Sequence, residues 1–158
     1  MNLKNKYLMI ILAVIIIKTN FSINVQAKEY NRFNNISIED GLSQATVETM
    51  MQDSKGYIWL GTNDGLDRYN GYTFKKYSYE KGSKNSLVNG YILDIKEDIE
   101  GNIWVATAAG ISKIYNDGEK VQNYTSDSKS GNLSNDNTAT MLISSSNKIY
   151  VGTAEGIN

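Results

Sequence analysis

The stretch that decides the fold is IWLGTNDGL at residues 58–66, because similar stretches occur at three places in the chain. It returns as IWVATAAGI at residues 103–111 and as IYVGTAEGI at residues 149–157. The leading aromatic residue recurs after 45 and then 46 positions. A repeat of this length indicates one small structural unit that cannot bury its apolar faces alone and stacks on its neighbours.

Each repeat divides into four short apolar segments separated by turn residues. The first copy predicts strands over Thr46–Gln52, Tyr57–Thr62, Leu66–Tyr69 and Thr73–Ser78. The second copy predicts them over Tyr91–Glu97, Asn102–Thr107, Ile111–Tyr115 and Lys120–Thr125. Asn63-Asp64-Gly65 has the composition of a primed hairpin turn, which needs positive φ. Four antiparallel strands in about 45 residues predict an all-β fold made of β-propeller blades.

The repeats also set the domain boundaries. We assign residues 42–86 to repeat 1, 87–132 to repeat 2 and 133–158 to a truncated repeat 3. Residues 28–41 precede them, and within this range Phe33–Ser37 is similar to the fourth-strand segments Phe74–Ser78 and Val121–Thr125. Such an orphan fourth strand is expected to complete the last blade of a closed ring. Since rings need roughly four to eight blades, we expect an incomplete ring from a longer protein, with a short chain that assembles from several copies as the alternative.

Residues 1–27 have the layout of a secretory signal peptide. Lys4 and Lys6 precede an apolar run from Tyr7 to Ile17, and Val25-Gln26-Ala27 has small residues at the positions before an expected cleavage site after Ala27. The alternative is a membrane anchor, but 11 apolar residues fall short of the roughly 20 that span a bilayer. The sequence therefore predicts export and an extracytoplasmic location.

The composition excludes several function classes for this segment. The formal net charge is −1 and the basic residues are scattered, which argues against nucleic-acid binding. The chain has no Cys and no His, so the usual zinc sites and Cys or His-assisted nucleophiles are absent. We predict no catalytic residue, no metal and no cofactor.

The aromatic residues Trp59, Trp104 and Tyr150 hold one position in three blades. They could stack on a sugar, but their repetition favours a place in the core between neighbouring blades. Other structural repeat positions are glycines. Gly61 and Gly152, with Ala106 between them in the series, should permit close backbone approach, and Gly65, Gly110 and Gly156 follow the hairpin turns.

Asp53 and Asp98 each lie three residues before a glycine. They could be read as calcium ligands, but the ligand spacing of a calcium loop is missing. An Asp that accepts backbone N–H groups two residues further on needs no metal. We favour this turn interpretation.

A ligand is expected at the loops that lead into the first strand and those that join the second strand to the third. In a propeller these loops cluster on one face of the ring. The candidate ligand-binding residues are polar residues of these loops that lie outside the repeated framework positions, namely Gln44, Asn63, Asp64 and Asn89. Asn63-Asp64 in the first copy contrasts with Ala108-Ala109 in the second, and such a polar rim suits a small molecule, an oligosaccharide or a peptide. Ordinary variation of surface loops is the alternative.

The repeat resembles the two-component regulator propeller repeat. The matching residues of copy one are Leu42-Ser43, Asp53, Gly56, Ile58-Trp59, Gly61-Thr62, Gly65-Leu66 and Arg68. Copy two departs at Ala106 and Lys113, and copy three departs at Ser144, Asn147 and Tyr150. The pairs typical of WD and kelch repeats are missing.

This resemblance implies a non-catalytic sensor region outside the cytoplasmic membrane, in a longer protein whose output is a histidine kinase or a diguanylate cyclase. Its role would be ligand sensing or scaffolding of a homodimer. The expected partners are the remaining blades of the same chain, with membrane attachment only through a downstream segment. The alternatives are an adhesive or scaffolding secreted propeller and a propeller lyase or hydrolase.

Overall fold

A computed structural model describes residues 2–9, 33–127, 129 and 132–158. The chain divides into two units, Met1–Asn34 and Asn35–Asn158. In the first unit, residues 3–9 are helical and exposed. Among the described residues no helix has the length and apolar character needed to cross a bilayer. Most of the predicted signal peptide, residues 10–27, lies outside the described residues.

The second unit is built from antiparallel sheets that follow the sequence repeats. Blade 1 and blade 2 each have four strands paired in sequence order, and blade 3 has three among the described residues. The strands of blade 1 are β1 Val47–Gln52, β2 Ile58–Thr62, β3 Gly65–Tyr69 and β4 Phe74–Tyr77. Those of blade 2 are β5 Ile92–Glu97, β6 Ile103–Thr107, β7 Gly110–Ile114 and β8 Val121–Tyr124. Those of blade 3 are β9 Thr138–Ile143, β10 Ile149–Thr153 and β11 Gly156–Ile157.

The second unit is therefore all-β, and its propeller-type blades do not close into a ring within the described residues. Every predicted strand of the first two repeats is present, within a residue or so at each end. The first strands β1, β5 and β9 lie next to one another, as expected for innermost strands around an axis. Each of them has a bulge near its start, where the pairing register shifts by one residue.

The segment before blade 1 differs from a strand. Residues 33–37 form no strand, and a short 3-10 helix, Ile38–Asp40, follows with Ser37 as its N-cap. Residues 28–32 lie outside the described residues. A role for residues 28–41 in closing a ring stays a prediction.

The core lies between the sheets. Trp59, Leu66 and Tyr77 from blade 1 pack against apolar residues of blade 2 in one buried cluster. A second cluster joins Ala106 and Ile111 of blade 2 to apolar residues of blade 3. Burial of apolar surface between blades, at about 25 cal/mol per Å², thus stabilises the contact of neighbouring repeats.

A hydrogen bond connects the start of each blade to its third strand or to the residue that follows that strand. The backbone N–H and the hydroxyl of Ser43 donate to the Asp67 carboxylate at 2.8 and 2.7 Å. At the same position of blade 2, the Val88 N–H donates to the Ser112 hydroxyl at 2.9 Å. In blade 3 the Ser134 N–H donates to Asn158 Oδ1 at 2.7 Å. Asp67, Ser112 and Asn158 therefore accept the equivalent backbone hydrogen bond in the three repeats.

Candidate functional site

The loops predicted to form a ligand face do meet along one edge of the sheets. Hydrogen bonds connect them alternately between and within blades. The linked pairs are Gly65 N to Gly90 O at 2.7 Å, Ala108 N to Tyr91 O at 3.1 Å, Thr138 Oγ1 to Thr107 O at 2.7 Å and Ala154 N to Asn137 O at 3.0 Å. A continuous rim of loops thus runs across the three blades.

A threonine closes each hairpin of this rim. The hydroxyl of Thr62 donates to the Gly65 carbonyl at 2.8 Å and accepts the Asp64 N–H at 3.1 Å. Thr107 and Thr153 make the same pair of contacts in the other blades. Sequence reasoning treated this threonine only as part of the repeat, although its place before every hairpin was a usable signal.

The predicted primed turn at Asn63-Asp64 is wrong. Asn147 is the one non-glycine residue with positive φ among the described residues, so Asn63 and Asp64 keep ordinary negative φ. The positive φ falls on Gly65, at 118°. This arrangement resembles a type I turn followed by a left-handed glycine, and a Cβ at Gly65 would lie 2.9 Å from the Tyr77 carbonyl oxygen.

The amide side chains at the loops before the first strands share one conformation. The side-chain carbonyl of Gln44 accepts the Thr46 N–H, and that of Asn89 accepts the Tyr91 N–H at 2.8 Å. Asn135 does the same with the Asn137 N–H at 2.8 Å. The carbonyl oxygen of each amide is thereby occupied, which fixes the direction of its NH₂ group, a donor of two hydrogen bonds.

The hairpin tips provide the variable part of the rim. Asn63 and Asp64 are exposed, and within the described residues neither side chain is hydrogen-bonded. In blade 2 the corresponding residues are Ala108 and Ala109. In blade 3 the tip residue Glu155 accepts a hydrogen bond from Asn135 Nδ2 at 3.2 Å.

Tyr91 adds an aromatic ring that the sequence analysis did not select. It follows the amide of blade 2, is 39% exposed, and its carbonyl accepts the Ala108 N–H. Tyr91 is therefore a partly exposed aromatic residue in the loop that hydrogen-bonds to the hairpin tip of blade 2.

The repeated aromatic residues belong to the framework and not to this rim. Trp59 is 2% exposed, Trp104 is half-buried and Tyr150 is 42% exposed. Trp59 lies 5.5 Å from the Tyr77 ring, and Trp104 stacks on Tyr124 at 5.4 Å. Their exposure follows how completely the next blade covers them.

The carboxylates of Asp53 and Asp98 accept hydrogen bonds from backbone N–H groups and from a tryptophan indole. Asp53 Oδ1 accepts the N–H groups of Lys55 and Tyr57 at 3.0 and 2.8 Å, and its Oδ2 accepts Trp59 Nε1 at 2.8 Å. Asp98 makes the equivalent contacts in blade 2. This geometry is the predicted turn, and the described residues contain no group of His, Cys, Asp or Glu side chains suited to a metal ion.

Cationic side chains lie above the same aromatic residues. The Arg68 guanidinium is 4.6 Å from the centre of the Tyr57 ring, and Lys113 Nζ is 5.0 Å from that of Trp104 and 3.6 Å from Asp98 Oδ2. Burial acts to raise the pKa of the Asp98 carboxyl, but the hydrogen bonds from Trp104 and Asn102, with the Lys113 charge, together lower that pKa below its ordinary value. Asp98 is therefore a carboxylate stabilised in its charged form.

The repeat glycine of blade 1 is approached closely by side chains and not by the backbone that was predicted. A Cβ at Gly61 would lie 2.6 Å from Ile92 Cγ2 of the next blade and 2.7 Å from Thr49 Cγ2. At Gly152 it would meet only Thr140, at 3.1 Å for the nearest atom. Gly110 and Gly156 have φ of 118° and 114° like Gly65.

These features define a set of β-propeller blades. Residues 41–64 and 86–109 match the family model described as "Two component regulator propeller".

Among curated proteins, the chain is 35% identical over 74 residues to "Histidine kinase P4" from Formosa agariphila. That match covers 46% of this chain and 5% of the relative, so the chain corresponds to a small part of that protein.

Solved structures share the fold. The extracellular domain of a hybrid two component system from B. thetaiotaomicron matches with a TM-score of 0.67 and 23% identity, over 75% of this chain and 17% of that one. PorZ of Porphyromonas gingivalis, a surface component of the type-IX secretion system, matches with a TM-score of 0.57 and 24% identity, over 71% and 17%. Virginiamycin B lyase from Staphylococcus aureus matches with a TM-score of 0.53 and 19% identity, over 75% and 42%.

Proposed function

We propose that this chain is part of the extracytoplasmic sensory propeller of a transmembrane signalling protein whose output is a histidine kinase. The observation that carries the proposal is the pair of two-component regulator repeats, together with the likeness to a histidine kinase over 74 residues. The signal-peptide layout of residues 1–27 supports export. The remaining blades would come from the same parent chain.

The rim of loops is the proposed ligand site. Gln44 and Asn89 present oriented NH₂ donors, Asn63 and Asp64 present donors and acceptors that the framework does not use, and Tyr91 presents an apolar ring. A few placed polar groups beside an apolar surface are typical of small-molecule sites. An oligosaccharide has matching hydroxyl groups and apolar C–H faces, so it is the class of ligand that we favour.

The signalling proposal is tested in the source organism with an antibody against residues 42–158. We expect the antibody to detect a membrane-bound polypeptide far larger than the 17.6 kDa of this chain. The immunoprecipitate should take up phosphate from ATP in an acid-labile form, as phosphohistidine does. A soluble secreted species without kinase activity would overturn the proposal and favour an adhesive or scaffolding propeller.

The ligand site is tested separately, by isothermal titration of this large membrane protein in detergent with a panel of neutral and acidic oligosaccharides. The double variant Asn63→Ala/Asp64→Ala should weaken binding at least tenfold, since two hydrogen-bonding side chains are lost. Gln52→Ala removes an exposed amide from the last residue of β1, at the opposite edge of the sheet, and should leave binding unchanged. Equal affinity of the double variant and the wild type would exclude this rim.

A further inference from the structure

The tripeptide Asn-Gly-Tyr occurs twice in this chain, at residues 70–72 and 89–91. An asparagine followed by glycine can lose its side-chain amide without an enzyme, because the glycine nitrogen can attack Cγ of the asparagine. Glycine has no side chain to hinder this approach. Since the two tripeptides are identical, a difference in their reactivity within the folded protein must come from the fold.

The side chain of Asn70 lies in the turn that joins β3 to β4. Its Oδ1 atom accepts the Tyr72 N–H at 2.9 Å and the Thr73 N–H at 2.8 Å. The Tyr69 hydroxyl donates to the Gly71 carbonyl at 2.7 Å, and this contact helps to aim the Tyr72 N–H because both groups belong to one planar peptide unit. When the Gly71 nitrogen attacks Cγ, negative charge develops on Oδ1. The two backbone donors are already in place to stabilise that charge, as in an oxyanion hole.

The attacking nitrogen is accessible. Both Asn70 and Gly71 are exposed. Apart from the chain neighbours of Gly71, no described residue lies within 4 Å of a Cβ at this position. In the part of the chain that the structure describes, the Gly71 N–H donates no hydrogen bond. The nitrogen can therefore lose its proton and approach Cγ without giving up a hydrogen bond of its own.

The second tripeptide is held differently. Among the described residues only the Tyr91 N–H donates to Asn89 Oδ1, at 2.8 Å. Asn89 is half-buried, and the Gly90 carbonyl accepts the Gly65 N–H of blade 1 at 2.7 Å. Asp64 Oδ1 would lie 3.7 Å from a Cβ at Gly90, so a carboxylate stands close to this loop. One donor fewer, an anchored loop and a nearby negative charge all disfavour the reaction at Asn89.

We propose that Asn70 is a site of self-modification in the folded protein. The Gly71 nitrogen loses its proton and forms a bond to Cγ of Asn70, the bond from Cγ to Nδ2 breaks, and Nδ2 leaves as ammonia with a proton. Water then opens the resulting cyclic imide at either carbonyl, which gives an aspartyl or an isoaspartyl residue at position 70. The turn follows the end of β3 that is opposite the rim of loops, so the inference does not rest on the proposed function.

Peptide mapping by mass spectrometry tests the proposal on the full chain during incubation at mildly alkaline pH. In the folded chain Asn70 should be modified about tenfold faster than Asn89, the gain expected from one further stabilising hydrogen bond. In concentrated urea the two sites should react at similar rates. Equal rates in the folded chain would overturn the proposal. A preference for Asn70 that persists in urea would do the same, because it would not come from the fold.

Variants of Thr73 test the role of the donors. Thr73→Pro removes one of them, since proline has no N–H, and it lies just before β4, where proline is tolerated. It should slow the modification of Asn70 about tenfold in the folded chain and leave that of Asn89 unchanged. Thr73→Ser keeps the backbone N–H and should react like the wild type.

An unchanged rate at Asn70 in folded Thr73→Pro would contradict the proposed stabilisation of Oδ1. Circular dichroism checks that the variant is folded. If it loses its β-sheet signal, Tyr69→Phe takes its place, because this substitution removes the hydroxyl that holds the Gly71 carbonyl. Tyr69→Phe should also slow the modification of Asn70, and an unchanged rate would again contradict the proposal.

Discussion

The indole Nε1 of Trp59 donates a 2.8 Å hydrogen bond to Asp53 Oδ2, across the hairpin that joins β1 to β2. Both residues are buried, at 2% and 8% exposure. Trp104 and Asp98 make the same bond at the same distance in blade 2. In blade 3 both partners change together, to Tyr150 and Ser144. The bond therefore links the turn of each of the first two blades to the aromatic residue that fills the next interface.

Trp59→Phe should destabilise the fold through this bond. Phenylalanine retains most of the apolar contact but leaves Asp53 Oδ2 without its indole donor, and an unsatisfied buried acceptor costs about 1–3 kcal/mol. The free energy of unfolding in urea measures the loss. Tyr150→Phe is the control at the equivalent position of blade 3, where Ser144 replaces the aspartate, and it should change stability by less than about 0.5 kcal/mol. Equal effects of the two variants would contradict the role of the bond.

Asp98 should make the free energy of unfolding depend on pH in the acidic range. The pKa of Asp98 in the folded chain lies below the ordinary value of 3.8. At a pH between these two pKa values, the unfolded chain therefore binds more protons than the folded chain. The stabilisation is fully present above about pH 3.8 and is lost as the pH falls through the folded pKa. Unfolding curves from pH 7 to pH 2 should show Asp98→Asn less stable at neutral pH, with the difference shrinking in acid. A difference that is constant over this range would refute the linkage.

Gly61→Ala should be more costly than the same substitution at Gly152. The new Cβ at position 61 would fall 2.6 Å from Ile92 Cγ2 and 2.7 Å from Thr49 Cγ2, and overpacking of a filled interface costs about 1–3 kcal/mol. At position 152 the nearest atom is 3.1 Å away and belongs to Thr140 alone. Thermal unfolding of both variants gives the comparison. A larger loss at Gly152 would show that the junction of blades 1 and 2 is not the tighter one.

The strands were predictable because two local signals agree in every repeat. Apolar runs of strand length alternate with Asp, Asn and Gly at fixed offsets, and three copies average out the uncertainty of any one boundary. The Asp53 turn followed from the same logic. Asn147 at φ 59° also fits, since it stands where Gly56 and Gly101 take positive φ in the other repeats.

Other features depend on partners that are remote in sequence or on several residues at once. The turn type at Asn63-Asp64 was missed because the Thr62 hydroxyl, not the Asp-Gly pair, sets the hairpin geometry. The bond from Trp59 to Asp53 was missed although both residues vary together between the copies. The amide direction at Gln44 and Asn89 requires knowledge of the backbone, which the residue types alone do not supply.

The chain contains two tryptophans, and each lies in a different junction between blades. Trp59 belongs to the cluster that joins blades 1 and 2, and Trp104 packs on the cluster that joins blades 2 and 3. Fluorescence of single-tryptophan chains would therefore follow the two junctions independently during refolding. Simultaneous changes would mean that the repeats fold as one cooperative unit, and separate changes would reveal which junction forms first.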